Sequence, residues 1–308
     1  MSNVKTTNKK RTILGKSLKA QEARAFYILM FPALLMFIVA KLWPFIWGIE
    51  KSFTNYNGFN INNLKYVGFA NYERVFTDTE ALSSLARTLG IGLVVVPITL
   101  VACNAMALLL TSFSKGVGVF RTIYYFPSIV PLIAATTMWQ GILMKDGVLN
   151  AVLGLFGVPA INWLGYDYIR VSLIFLMLWN SGAGILNNIA AINAIPRDLY
   201  EAAELDGASY WQRTFRITLP LIGNMNFLNL TTGIIGTLQL FGEPVLLSGA
   251  SLTGVPLQPI YTYVVHVYQQ IFVNLRFGYG LALTWIVFII IVVSTSIVQY
   301  VNKRMVER

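Results

Sequence analysis

Cysteine, histidine and charge are what this chain has least of. Its 308 residues include one cysteine, Cys103, and one histidine, His266, and only 12% are Asp, Glu, Lys or Arg. A single cysteine rules out an intrachain disulfide, and with one histidine it leaves no Cys/His set able to cage a structural zinc ion. Soluble domains run near a quarter charged, so a chain this poor in charge cannot cover itself with water-facing side chains. Acidic residues are scarcer than basic ones, 13 against 23, for a net charge of +10. That excess does not point to nucleic acid, because the basic residues fall in separate loops and form no continuous patch or stripe. No Ser/His/Asp, metal or carboxylate-pair constellation lies in the apolar stretches, which argues against a membrane enzyme.

What the chain does have is apolar surface: 56% of its residues are hydrophobic. Runs of about twenty apolar residues recur near 26–49, 89–111, 122–144, 169–194, 221–247 and 278–301, each able to cross a hydrocarbon layer of roughly 30 Å as a helix. They do not alternate as the strands of a membrane barrel do. The expected fold is an all-α membrane protein with six transmembrane helices, divided into a basic tail over 1–25 and a transmembrane domain over 26–308. The first run follows a polar stretch and has no small-residue cleavage site after it, so it reads as a retained span and not as a signal peptide.

Charge predicts orientation. Lys5, Lys9, Lys10, Arg11, Lys16, Lys19 and Arg24 precede the first run, and Lys115 and Arg121 flank the turn after the second. Arg197, Arg213 and Arg216 lie between the fourth and fifth, and Lys303, Arg304 and Arg308 close the chain. The positive-inside bias places both termini and the 195–220 loop in the cytoplasm. Gly15-Lys16-Ser17 imitates the end of a phosphate-binding loop, but the first glycine of that motif would fall at Lys10 and no strand precedes it. If ATP is used, a partner must bind it.

The 195–220 loop is a charged, amphipathic interruption between two apolar runs. Pro196 suits a first helical position, Asp198 and Glu201 put negative charge in the first turn, and Gly207 can take the left-handed stop conformation. Ser209 and Gln212 have capping-box spacing, which predicts a second helix running through Phe215 until Pro220 breaks it or opens the next span. Leu199, Ala202 and Ala203 share one face; Arg197, Glu201 and Glu204 share another. The result is a small-residue face framed by charge, able to dock in a partner's cleft. A solvated connecting helix would explain the charges but not the glycine elbow followed at once by a second capped helix.

Glu201-Ala202-Ala203, then Asp206-Gly207-Ala208, then Ile217, Leu219 and Pro220 resemble the cytoplasmic EAA loop of binding-protein-dependent ABC importer permeases. Ala194-Ile195-Pro196 and the 242–280 region resemble the carbohydrate branch of that family, the maltose-type permeases. The resemblance runs from about Phe26 to the C-terminus. It implies a non-catalytic permease subunit in a bacterial or archaeal inner membrane. Its partners would be a second permease subunit in a heterodimer, two ATPase subunits holding ATP and magnesium, and an extracytoplasmic solute-binding protein. No cofactor is implied in this chain. Glu201, Ala202, Ala203, Asp206, Gly207 and Ala208 would form the helix and turn gripped by an ATPase subunit.

The apolar runs themselves hold candidate pathway residues. Pro127 and Pro131 predict loosening of the third run around Ser128, tolerated where the helix lines a cavity or is buried in protein. Asn180, Asn187 and Asn188 put amides in the fourth run, where they need partners. They either bond helix to helix or meet sugar hydroxyls, with Trp179 as a platform for a pyranose face. Gly233, Gly236, Thr237 and Leu240 share a stripe of the fifth run, for close packing or for ligand contact. Glu243 is a gate or substrate contact, or else a residue at headgroup level. His266 has no cysteine or acidic neighbour in the sequence, which speaks against a ligand or relay role. The outer stretch Tyr56 to Arg87 is a connector or a receiver for a binding protein, and the Gly- and Pro-rich loop Ser248 to Pro259 is a further docking surface.

Aligned on the EAA loop, Ser128, the stripe Leu176, Trp179, Asn180 and Ala183, and the stripe Gly233, Gly236, Thr237 and Leu240 fall where maltose-type permeases contact sugar. Those permeases carry amides at some of the positions held here by Leu176, Gly233, Gly236 and Leu240. The resemblance therefore implies a carbohydrate cargo, with a polyol or glycerol phosphate as the alternative. Phosphate would call for basic groups in the pathway, and the spans offer almost none. An ion-driven secondary transporter would show paired intramembrane carboxylates or inverted repeats, and neither is evident.

Overall fold

A computed structural model describes residues 4–59, 64–112, 117–250 and 254–306. Lys115, Arg308 and part of the Ser248 to Pro259 loop lie outside the described residues. Among the described residues, extended pairing is limited to one bridge, between Thr54 and Tyr66. Everything else of regular structure is helical.

Helix α1, Val4–Phe37, passes through a π-helical turn at Ile38–Leu42 into α2, Trp43–Ser52. The wide turn has a cause in the sequence. Pro44 lacks a backbone N–H and its ring would strike the carbonyl four residues earlier, whereas a turn with one extra residue moves that carbonyl aside. Trp43 N–H bonds back to Ile38 O in this wider register. None of the most apolar stretch of the Ala20–Ser52 helix is buried within the chain.

After α3, Ala70–Thr77, the chain enters α4, Thr79–Ser112, the helix around which the others assemble. Helix α5, Val117–Ile129, and α6, Leu132–Leu143, are separated by Val130-Pro131; together with α7, Val148–Leu155, they bend by 102° at that break. The loosening expected from Pro127 and Pro131 is thus located at Pro131. Helices α8, Ile169–Trp179, and α9, Gly182–Asn193, form one apolar rod with a one-turn irregularity at Asn180-Ser181. Gly182 lies against the Tyr124 carbonyl, so any side chain there would force α5 and α9 apart.

Helices α10, Arg197–Leu205, and α11, Tyr210–Arg213, make the loop between the fourth and fifth apolar runs. A π-helical turn at Thr214–Thr218 then leads into α12, Leu219–Leu221, and α13, Gly223–Leu238. The helix does not break at Pro220. It widens just before it, as it does before Pro44, and Leu219 N–H reaches back to Thr214 O. Helix α14, Gly242–Leu247, and α15, Tyr263–Tyr268, precede a third π turn at Gln269–Val273, and α16, Phe277–Val306, ends the chain.

Among the described residues, four helices are long and apolar enough to cross a membrane, and the bent α5–α6–α7 segment makes up to five. Helix α4 packs against α8, α9, α13 and α15, and α13 against α16. Buried side chains gather around Cys103, Ile185 and Ile189 between α4 and α9, and around Tyr263, Ala282 and Leu283 between α15 and α16.

Candidate functional site: a cavity, a clasp and an elbow

Helices α4, α9 and α13 do not close on one another completely. Between them lies a cavity of about 470 Å³, lined by Thr99, Asn180, Ala183, Asn187, Asn229, Gly233, Gly236, Thr237 and Glu243 among others. The absence of side chains at Gly233 and Gly236 leaves room on the α13 wall, and the Thr237 hydroxyl is turned back onto the Gly233 carbonyl at 2.9 Å. The Thr99 hydroxyl is buried without a hydrogen-bond partner. Such a group favours a ligand hydroxyl or water arriving from the cavity.

At one side of the cavity five amides join the three helices. Asn188, fully buried, donates to Asn104 at 3.2 Å and to Asn226 at 3.3 Å, and accepts from Asn229 at 2.8 Å. Asn187 donates to Asn229 at 3.3 Å. The amides of the fourth run thus differ in their surroundings: Asn188 ties helices together, Asn180 lines open space, and Asn187 does both.

The structure brings Asn180, Ala183, Gly233, Gly236, Thr237 and Glu243 to one cavity and leaves the other four candidates outside its wall. Leu176 is buried in the packing. Trp179 meets Trp139 edge-on at 6.1 Å instead of forming a platform in the cavity. Leu240 lies beyond the end of α13, buried against Ile91 and Leu173, with its carbonyl accepting from Thr262 at 2.7 Å. Ser128 donates to the Tyr125 carbonyl at 2.7 Å on the exposed bend of α5. Thr99, Cys103 and Asn229 were not among the sequence candidates. Only the packing of three distant segments puts them on the wall.

A second polar centre caps the opposite ends of α4, α15 and α16. Asp78 holds the first turn of α4, its Oδ1 accepting from the amides of Glu80 at 3.0 Å and Ala81 at 3.2 Å. Its Oδ2 accepts from Tyr279 Oη at 2.7 Å and lies 3.7 Å from His266 Nε2. His266 Nδ1 pairs with Tyr261 Oη at 3.1 Å. The lone histidine therefore does have an acidic partner, which corrects the sequence reading: Asp78 is remote in the chain and arrives through the packing of α15 on α4. Burial would raise the Asp78 carboxyl, but the Tyr279 bond, the Ala81 amide, His266 and the Glu80 amide outweigh it and hold the group below its ordinary value. Burial depresses His266, opposed chiefly by Asp78. Burial also pushes the Tyr261 hydroxyl up to about 12.

The loop supplies the third feature. Ala208 N–H bonds to Ala203 O at 2.9 Å and Gly207 N–H to Glu204 O at 3.0 Å, around Gly207 at φ 75°. This paired closure of a helix end requires a left-handed residue at the turn. The spacing between the Glu-Ala-Ala and Asp-Gly-Ala groups is the spacing of that closure. The second helix opens on the expected capping box, with Ser209 N–H bonding Gln212 Oε1 at 2.7 Å and Gln212 N–H bonding Ser209 Oγ at 3.4 Å. Pro196 sits one residue before the first helical position, as N-cap of α10. No residue of α10 is buried, and Leu205 at its end is 90% exposed.

Apolar rods, a cavity between them and an exposed helical elbow define a multi-pass helical membrane protein of a transport system. The chain belongs to the family described as binding-protein-dependent transport system inner membrane component, whose model matches residues 99–307. It is 31% identical over 277 residues to the probable ABC transporter permease protein YesP of Bacillus subtilis, covering 89% of this chain and 88% of that one. It is 29% identical to the trehalose/maltose transport system permease protein MalF of Thermococcus litoralis, covering 94% and 97% respectively. With the lactose transport system permease protein LacF of Rhizobium radiobacter it shares 27% identity over 90% of this chain and 93% of the relative. Among solved structures, a bacterial ABC transporter involved in import of the acidic polysaccharide alginate matches with a TM-score of 0.80 at 21% identity, covering 94% of this chain and 98% of that one.

Proposed function

We propose that this chain is the transmembrane permease subunit of an ATP-driven importer for a neutral carbohydrate. The observation that carries the reading is the joint presence of an amide- and hydroxyl-lined cavity and an exposed, glycine-turned elbow at the end of the same rods. The cavity suits a sugar because hydroxyls exchange hydrogen bonds with amides and threonines, and its size fits a small-ligand site. Membership of the family and the sugar permeases among its relatives support the cargo class.

The mechanism follows from stiffness. Helix α10 would sit in a cleft of an ATPase subunit, with Glu201 meeting a basic group there and Ala202 and Ala203 letting the helix lie close. Asp206, Gly207 and Ala208 close the elbow, so displacement of α10 passes through α11 to α13 and to one wall of the cavity. A second permease subunit would complete the pathway, two ATPase subunits would hold ATP and magnesium, and an extracytoplasmic binding protein would deliver the sugar. On this reading the chain crosses the membrane six times, with the broken α12–α13–α14 segment as the fifth crossing, and both termini and the elbow lie in the cytoplasm. In this scheme the chain itself carries no catalytic group.

The test is the assembled transporter in proteoliposomes. Glu201→Ala removes a charge-assisted bond and should lower sugar-stimulated ATP hydrolysis about tenfold while leaving membrane insertion intact. Gly207→Val should do the same by opposing the left-handed turn. Wild-type coupling in both variants would remove the elbow from the mechanism.

A further inference from the structure

Beneath the elbow, where α4 and α9 end and α10 and α11 begin, lies a separate cleft of about 350 Å³. Its described lining contains two guanidinium groups, Arg197 and Arg213, and no carboxylate. Arg213 spends one arm on Glu204 at 3.2 Å, outside the lining, and that carboxylate is 70% exposed. Asn193 and Tyr210 face the cleft as further donors. Leu108 and Ile192 form an apolar floor. Beside Tyr210, the rings of Trp211 and Phe215 stack at 6.0 Å and 25°, and they are 65% and 62% exposed.

We infer that this cleft binds the phosphate of an anionic phospholipid headgroup. Two guanidiniums with additional neutral donors match a phosphate's several acceptor oxygens, and the lining itself adds no carboxylate to repel it; Glu204, outside the lining, competes for one arm of Arg213. The apolar floor and exposed aromatic shelf select an amphiphile over a free anion, because indole and phenyl rings at the end of an apolar rod settle at headgroup depth. A lipid held there would bridge the ends of α4 and α9 to α10 and α11, joining the elbow to the rods. The inference is independent of which solute the cavity takes.

The experiment is native mass spectrometry of the full-length chain in detergent, titrated in parallel with phosphatidylglycerol, phosphatidylcholine and inorganic phosphate. Phosphatidylglycerol should be retained over phosphatidylcholine. Arg197→Gln and Arg213→Gln should each weaken that retention about fivefold. Glu204→Gln should strengthen it by freeing Arg213, a gain that a misfolded variant could not produce. Equal retention of both lipids, or retention unchanged by all three substitutions, would overturn the inference. Saturation of the site by inorganic phosphate alone would overturn the lipid assignment and give the cleft to a soluble phosphate compound.

Discussion

Single residues carry more than one structural duty at the Asp78 clasp, and this makes their replacement measurable. Asp78 caps α4 and accepts the Tyr279 hydroxyl, so Asp78→Ala removes a helix cap and strands a buried donor, at a combined cost of about 2 to 4 kcal/mol. Thermal unfolding in detergent should show the loss, and Asp78→Asn should recover the cap but not the acceptor. His266 makes the same clasp sensitive to pH. Its folded value lies below its ordinary 6.5, so the unfolded chain binds more protons between the two values and stability rises with pH across that window. The contribution is complete above 6.5 and is lost as pH falls toward the depressed value. The lowered Asp78 acts in the same direction at more acid pH. A melting-temperature series should fall on acidification below 6.5 in the wild type and stay level through that window in His266→Gln. At Gly207 the argument concerns backbone alone. A side chain there would meet open space, so Gly207→Ala should cost about 1 to 2 kcal/mol, through φ 75° and not through collision.

Elements show where a sequence is legible and where packing decides. The apolar rods, the capping box at Ser209 and the stop at Gly207 depend on neighbours a few residues away, and local pattern reveals them. The widening before Pro44 and Pro220 is equally local, but proline signals trouble without saying whether a helix breaks, kinks or widens; at Pro131 it separates two helices, at Pro220 it does not. The ends of α13 were harder to foresee. A stripe drawn from Gly233 to Leu240 assumes one continuous helix, and the turn at Gln239 takes Leu240 out of the cavity wall. Trp179 was drawn to the cavity by its chemistry and is held away from it by another ring, Trp139. Contacts between remote segments, such as Asp78 with His266 or Asn104 with Asn188, left no sign in the sequence at all. The amide ladder is where three rods depend on one side chain. Asn188→Ala leaves Asn104, Asn226 and Asn229 each short of a partner and should cost about 2 kcal/mol, less than in a water-excluded soluble core because amides in a membrane find alternative partners. Asn180→Ala, facing the cavity, should leave stability unchanged and weaken sugar binding; equal unfolding midpoints for both variants would contradict this division.

At the scale of the whole molecule, likeness of fold does not carry over the charge of the cargo. The alginate importer that this chain overlays carries an acidic polysaccharide, and at 21% identity the likeness extends to the fold and no further. The cavity here holds Glu243 and, among its described lining residues, no lysine or arginine. A uronic carboxylate at about 6 Å from Glu243 would be repelled by about 3 kcal/mol at an effective dielectric near 20, a discrimination of roughly a hundredfold against a neutral sugar of the same shape. Glu243→Gln abolishes that repulsion and keeps the side chain's length and its hydrogen bonding. Calorimetry on the assembled transporter should therefore find neutral oligosaccharides bound and oligouronates excluded in the wild type, with the gap narrowed most of the way in Glu243→Gln. If uronates bind the wild type as well as neutral sugars do, Glu243 does not face the solute, and the cargo must be held on another wall of the pathway.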